Sequence, residues 1–399
     1  MKKLLHIEAY SRKRAGSCHC FEELARTHGT PLLLVDCTVI ERQYRELCRA
    51  LPGVEFFYAI KTLPQHDVIR TLYAAGCGFD VASSGEIDLV ERCGVPATRC
   101  IHTHPIKRPE DIDRGLRFGC NTFVVDNSAE IEKFRACRDR AELLLRVGFR
   151  SLDAVVDLAR KYGCPVEDVP VLLKQAASAG IKIKGLSFHV GSQALNSHAH
   201  VEAVKASARI IRECAESGLA RLDILDIGGG FPAPYAPDIP DIDEFCAPLQ
   251  EALRLLPQDV TVIAEPGRYI AAPAVTAISS VIGKARRGDS IWYYLDDGVY
   301  GSYSGRIYDS ASYPLEVMRH GGELRKSVLA GPTCDSIDVI AEDLMLPELE
   351  IGDLVIGHLM GAYTIATATD FNLFPRPKVV VTGNRCPNVW LKGMAGQCL

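Results

Sequence analysis

Apolar runs and helical periodicity alternate along the chain from residue 36. Strand-like runs stand at 56–60, 78–82, 99–102, 122–125, 142–147, 183–190, 222–227 and 260–265. Between them, apolar positions recur at helical spacing in 84–93, 127–137, 166–179 and 197–217, and several of these stretches open on Ser, Asp or Asn, the residues that cap helix N-termini. Strands joined by helices in this way predict an α/β protein built on a (β/α)8 barrel, whose functional residues collect at the C-terminal ends of the strands. An open, doubly wound sheet is the competing architecture. Beyond about residue 275 the helical periodicity fades. Short β-branched or aromatic runs at 291–295, 327–329, 354–356 and 378–381 alternate there with turn-rich pieces, which predicts a mostly β domain. The segment before residue 36 is expected to join it. The predicted division is a barrel over 36–274 and a β-sandwich or β-barrel-like domain formed by 1–35 with 275–399.

Composition narrows the class only a little. The 399 residues suit two domains, and 47% hydrophobic with 24% charged residues is ordinary for a globular chain. A net charge of −5 without a basic stripe argues against nucleic acid as a partner. No apolar run approaches a membrane span, and the basic N-terminal clusters Lys2-Lys3 and Arg12-Lys13-Arg14 lack the apolar core of a signal peptide, so a cytoplasmic location is expected. The 15 cysteines include no CxxC pair, which reads as reduced thiols. Cys18-His19-Cys20 offers too few ligands for structural zinc. His102 and His104 could share one face of a strand but have no acidic or cysteine partner nearby, so they read as loop or pocket residues and no metal is expected.

Polar residues interrupt the apolar runs at the predicted strand ends: Lys61, Asp80, Arg146, His189, Gly228-Gly229-Gly230 and Glu265. Lysine forms Schiff bases with carbonyl cofactors, and partial burial is expected to lower the pKa of Lys61 towards the reactive amine. Gly228-Gly229-Gly230 would let backbone N–H groups approach a phosphate, or it could form a plain tight turn. It does not fit a dinucleotide site, because Phe231-Pro232-Ala233-Pro234 follows where GxGxxG would open a helix. With Glu265 as an uncompensated carboxylate and Gly267-Arg268 beside it, the set points to pyridoxal 5′-phosphate.

Here the residues carry a family resemblance. Tyr58-Ala59-Ile60-Lys61, Gly78-Phe79-Asp80-Val81-Ala82-Ser83, Ser187-Phe188-His189-Val190-Gly191-Ser192 and Leu225-Asp226-Ile227-Gly228-Gly229-Gly230-Phe231-Pro232 are followed in order by four more strings. These are Ala264-Glu265-Pro266-Gly267-Arg268-Tyr269, Asp297-Gly298-Val299-Tyr300-Gly301, Gly331-Pro332-Thr333-Cys334-Asp335 and Met360-Gly361-Ala362-Tyr363-Thr364. Together they resemble the fold-type III pyridoxal-phosphate-dependent decarboxylases, most closely the ornithine/lysine branch, over residues 56–377. The resemblance implies a barrel of the alanine racemase type and an obligate homodimer with two shared sites. It implies Lys61 as the Schiff-base lysine, Glu265 facing the pyridine nitrogen, and Ser192, Gly230, Gly267, Arg268 and Tyr363 on the phosphate. His189 would stack on the ring, and Asp80, Glu86 and Arg146 would line the pocket. Cys334 would return a proton to Cα, and Asp335, helped by Tyr308 and Asp309, would bind a distal ammonium, with Cys334 and Asp335 reaching the neighbouring subunit's site.

The implied activity is decarboxylation of a basic L-amino acid, ornithine to putrescine first and lysine to cadaverine second, in polyamine biosynthesis. Diaminopimelate decarboxylase is the alternative, although its substrate's distal carboxylate calls for a cation, and that family usually has a glutamate in the motif where Asp335 stands. A decarboxylase of specialised metabolism is another, and a catalytically inactive binding homologue a third. Lys161 is read as an ion-pair residue outside catalysis. Leu63, His102 to His104 and Ser310-Ala311-Ser312 depart from the family pattern and bear on the choice of substrate.

Overall fold

The computed structural model describes residues 21–149, 154–156, 160–319 and 321–383. The Cys18-His19-Cys20 segment lies outside them. β1 (Leu32–Asp36) precedes eight parallel strands that close into a barrel. These are β2 (Glu55–Ala59), β3 (Gly78–Val81), β4 (Cys100–His102), β5 (Thr122–Val125), β6 (Glu142–Arg146), β8 (Ile183–Ser187), β10 (Ile224–Asp226) and β11 (Thr261–Ala264). The seam is short: Ile263 and Ala264 of β11 register with Glu55 and Phe56 of β2. The closed barrel excludes the open sheet. A small ribbon pairs β7 (Ala154–Val156) with β9 (Ser192–Ala194).

Alternation along the strands separates two surfaces. Ile101, Val124, Leu144 and Ile263, with Phe57 and Ile224, form one cluster from six barrel strands. Their neighbours Phe79, Phe123, Val125, Leu143, Leu145 and Leu225 belong to the larger core shared with the surrounding helices. The first set plugs the barrel. Stepping two residues along the same face of each strand gives Ala59, Thr103, Asp126, Arg146, Asp226 and Glu265, and Asp80 and Ser187 follow Gly78 and Gly185 in the same way. The interior is therefore apolar at one level and polar at the next.

Sequence reading overextends several elements. The run 183–190 stops as a strand at Ser187, because His189 to Gly191 turn back across the rim. The stretch 127–137 is an α-helix only over Ser128–Lys133 before tightening into a 3-10 turn. The helix expected from 166 begins at Val169, with Pro170 in its first turn where a missing N–H costs nothing.

The remaining strands are β12 (Val275–Arg287), β13 (Ser290–Leu295), β14 (Leu315–Val317), β15 (Arg325–Ala330), β16 (Val339–Leu346), β17 (Leu354–Gly357) and β18 (Lys378–Thr382). They form an eight-stranded sheet with β1. β12 is its hub: its first part pairs with β1 and β17, and from Val281 onward it pairs with β13 through a register shift between Val281 and Gly283. The chain leaving β17 returns to the barrel. Met360 N–H donates to Val275 O at 2.9 Å, and Tyr363 N–H to Thr62 O at 3.1 Å. A side chain at Gly361 would collide with the Ala271 carbonyl, so this return path requires glycine.

Phe123 shows how tightly the helical shell fits. Its ring lies 5.2 Å from Phe134 and 5.5 Å from His102, and a Cβ on Gly115 would stand only 3.0 Å from it. Phe123→Ala should destabilise the protein by about 3–5 kcal/mol. The check is a lower urea midpoint with an unchanged slope; an unshifted midpoint would show that the shell collapses into the space.

Candidate active site

After β2 the chain tightens into a single 3-10 turn, Ile60–Thr62, burying Ile60 and Thr62 and directing Lys61 into the barrel mouth. Its Nζ lies 2.7 Å from Asp80 Oδ2, while Thr103 Oγ1 donates to Asp80 Oδ1 at 2.5 Å. The expectation of a lowered lysine pKa is overturned. Desolvation in the barrel mouth does work against the ammonium, but Asp80 and then Glu265 outweigh it and hold the pKa above the ordinary lysine value. Lys61 is a charged amine that must surrender a proton before acting as a nucleophile.

Glu265 is buried immediately after β11 and is not uncompensated. Burial first, then the charges of Asp226 and Asp80, push its pKa well above the carboxylate range, and it donates a hydrogen bond to Asp226. Asp226 is also raised, chiefly by burial, and is fixed by Ser187 Oγ at 3.1 Å and Gly228 N–H at 2.9 Å. The pair shares a proton that two buried carboxylates could not both lose.

Across the mouth lies an end built of bare glycine backbone and one guanidinium. Gly228 and Gly230 adopt φ of 65° and 100°. A Cβ on Gly229 would stand 2.7 Å from the Glu265 carbonyl oxygen and 3.1 Å from His189 Nε2. His200 Nε2 donates to Gly229 O at 2.9 Å, anchoring this bare backbone. Arg268 follows Gly267, whose missing side chain leaves room for Thr62. Its guanidinium donates to Ser192 Oγ at 3.0 and 3.2 Å, to the Tyr235 hydroxyl at 3.4 Å and to Asp309 Oδ2 at 2.6 Å. The Tyr363 ring faces it at 4.9 Å.

His189 accepts Gly191 N–H at Nδ1, 3.1 Å, which places the neutral ring's proton on Nε2. Burial, Arg146 and Lys61 hold its pKa well below the usual histidine value. Arg146, at the end of β6, keeps one buried terminal nitrogen without a hydrogen-bond partner among the described residues. Its guanidinium lies 5.4 Å from the Tyr162 ring. Glu86 accepts Ala82 N–H at 2.6 Å, and burial together with Asp80 raises its pKa to about 7.

Lys61, Arg146, His189, Ser192, Gly229, Gly230, Glu265, Gly267, Arg268 and Tyr363 line one cavity of about 190 Å³. Thr103, His104 and Tyr162 also line it. A larger groove of about 510 Å³ on the β-sheet contains none of these residues, and several of its charges are paired, such as Lys284 with Glu350. Asp226, Thr103 and Tyr235 were missed from sequence. The first two sit two residues beyond the apolar plug on the same strand face, a usable signal, whereas nothing in its spacing singles out Tyr235. Buried Lys107 was also missed; its Nζ fastens the carbonyls of His104 and Pro105, at 3.0 and 2.9 Å, behind the cavity wall. His102 and His104 part company: His102 is buried against Phe123 with its pKa pushed down to about 4 by burial and Lys107, while His104 reaches the cavity. Among the described residues no cluster could hold a metal.

The structure does not bring Cys334, Asp335 or Tyr308 to this cavity. Cys334 is exposed, its N–H donating to Asn372 Oδ1 at 3.0 Å. Asp335 accepts the Tyr300 hydroxyl at 2.5 Å, which lowers its pKa, and Tyr300 stacks on Phe371 at 4.6 Å. Tyr308 is exposed. Asp309 does not line the cavity itself but is engaged by Arg268, which does.

The pyridoxal-binding domain of pyridoxal-dependent decarboxylases matches residues 37–272. The chain is 40% identical over 356 residues to a lysine/ornithine decarboxylase of Selenomonas ruminantium, covering 88% of this chain and 89% of that protein. It is 34% identical to an antizyme inhibitor 2 of Xenopus laevis, covering 90% and 82%. A crystal structure of a Vibrio vulnificus lysine/ornithine decarboxylase complexed with cadaverine superposes with a TM-score of 0.87 at 54% identity, covering 91% of this chain and 95% of that one. The residues present fit pyridoxal 5′-phosphate: a primary amine, a glycine cradle a Cβ would fill, an arginine and a serine for an anion, and a carboxyl pair able to pass a proton.

Glu86 makes the pocket's acid cluster measurable. In the unfolded chain it titrates near 4.5, and in the folded chain near 7. Between those values the folded state binds a proton that the unfolded state lacks, so stability falls as pH rises through this window and stays lower above it. Glu86→Gln should remove that loss while keeping an acceptor for Ala82 N–H. Urea midpoints of cofactor-free protein should coincide near pH 4.5 and separate in favour of the variant by pH 7.5; parallel curves would refute the raised pKa.

Proposed function

The chain belongs to the pyridoxal-dependent decarboxylases, and from that premise we propose that it removes the α-carboxylate of L-ornithine or L-lysine, releasing carbon dioxide with putrescine or cadaverine. What carries this reading is the convergence of Lys61, the Ser192–Arg268 anion site and the protonated Glu265–Asp226 pair on one cavity. Pyridoxal 5′-phosphate, when bound, supplies the electron sink that makes carboxylate loss from Cα feasible.

Lys61 would hold the cofactor's aldehyde carbon, with Asp80, 2.7 Å from its Nζ, placed to take the proton that the ammonium must lose. Ser192, Gly228, Gly229, Gly230, Gly267, Arg268 and Tyr363 would hold the phosphate, and His189 would flank the ring. Glu265 would share its proton with the ring nitrogen, whose positive charge would then offset the second carboxylate beside Asp226. Asp309 and Asp335, with Tyr308, would pair a desolvated distal ammonium. The Cys334 thiol would return a proton to Cα. Because Cys334 and Asp335 lie outside this chain's cavity, we take them to complete the cavity of a second copy in a homodimer with two shared sites. On this reading the barrel, 36–274, is the cofactor unit and the sheet domain completes the site. The product places the reaction in polyamine biosynthesis, and a cytoplasmic setting fits the reduced cysteines.

One relative is named as an antizyme inhibitor rather than an enzyme. Retention here of Lys61, Arg268, Glu265 and Cys334 supports the enzymatic reading. Purified protein with cofactor should form diamine from ornithine and lysine, with the two kcat/KM values side by side giving the preference. No carbon dioxide from either substrate would sink the proposal. Lys61→Ala should lose the visible absorption of the attached cofactor. Cys334→Ala should keep that absorption yet lose turnover by roughly a hundredfold to ten-thousandfold. Mixing the two inactive variants should restore part of the activity if sites are shared, and no recovery would count against the dimer geometry.

A further inference from the structure

Arg268 and Asp309 each have two claims on them. In the proposed function Arg268 takes the cofactor's phosphate and Asp309 the substrate's distal ammonium, yet their side chains bind each other at 2.6 Å. This is no surface pair: the side chains are 5% and 16% exposed. The terminal nitrogen that meets Asp309 Oδ2 also donates to Ser192 Oγ at 3.0 Å. Asp309 therefore occupies the donor that an anion seated beside Ser192 would use. A phosphate and a carboxylate on one desolvated cation repel each other, and the other flanking groups, Tyr235 and Tyr363, bring no second positive charge. The backbone of Asp309 is tied down, its N–H donating to Gly305 O at 3.0 Å. Its carboxylate can leave Arg268 by turning about side-chain bonds alone.

We propose that Asp309 is a placeholder on Arg268: phosphate displaces its carboxylate, and the displaced carboxylate is the one that pairs the distal ammonium. The two subsites then bind their ligands cooperatively. Loading of the phosphate end prepares the ammonium end, and without it Asp309 is quenched. Arg268 is thus a positioning residue for substrate as well as a phosphate ligand. The inference rests on the roles assigned to the two residues in the proposed function.

The test uses the full, cofactor-free chain and two probes, inorganic phosphate and putrescine or cadaverine, titrated calorimetrically alone and each in the presence of the other. Phosphate should tighten diamine binding about tenfold, and diamine should tighten phosphate by the same factor. Asp309→Asn should bind phosphate about tenfold more tightly than the unaltered protein and lose the coupling. Asp309→Glu should regain coupling in part. Diamine affinity indifferent to phosphate in the unaltered protein overturns the proposal, and that measurement stands even if Asp309→Asn does not fold. Unchanged phosphate affinity in a folded Asp309→Asn overturns it too. Failure to decarboxylate either amino acid would refute the function instead, leaving the phosphate comparison as an independent reading of the ion pair.

Discussion

Everything at the candidate site depends on closing the barrel between its first and last strands. Glu265 and Lys61 are 204 positions apart, and only the seam between β11 and β2 makes them neighbours. The seam continues past the strands: Ala59 N–H donates to Pro266 O at 3.1 Å, and the bare Cα of Gly267 packs against Thr62. The lysine turn and the turn carrying Glu265 and Arg268 thus lock together through backbone. A side chain at Gly267 would wedge the seam open and separate the amine from both the acid and the anion site. Closure and catalysis make the same demand on the sequence.

The closed seam also sets the electrostatics. The apolar plug beneath the rim excludes water, so charges above it are expensive unless paired. The rim answers with acids in excess near Lys61: Asp80, Glu86, Asp226 and Glu265. They cannot all ionise at such spacing, and the deepest pair keeps a proton. At the other end Arg268 is alone among neutral tyrosines and a serine, with Asp309 balancing it. The cavity is polarised, proton-rich at one end and anion-seeking at the other, before any ligand enters it.

Much of this was legible in the sequence because parallel strands announce themselves. Buried on both faces, they read as apolar runs, and the polar residue ending each run marks the rim. Lys61, Arg146 and Glu265 were found that way. What pattern cannot encode is the partner. The ionisation of Lys61 was misjudged because burial was weighed without Asp80, and Glu265 looked isolated because Asp226 belongs to another strand. The long hub strand β12 was overlooked for a related reason. Its Thr276, Ser279 and Ser280 break the apolar run, and they are tolerated because backbone pairing on both sides satisfies the strand whatever its side chains. Asp309 was assigned a ligand from its motif, and only three-dimensional packing shows that Arg268 holds it first.

The two halves of the site differ in how they are prepared. The cofactor half is assembled within one chain from buried, mutually bonded groups, so its chemistry is decided by folding alone. The proposed substrate half is not: Asp309 is engaged elsewhere, and Asp335 and Cys334 lie on an exposed loop held by Tyr300 and Asn372. On the proposed reading, a carboxylate fixed by Tyr300 would act as a ruler for chain length. One methylene is worth only about 1–3 kcal/mol to such a ruler. On the proposed reading, that modest penalty would let one site take ornithine or lysine, with the preference set by the placement of Asp335 and the loop around it and the cofactor held by Lys61 beside the seam.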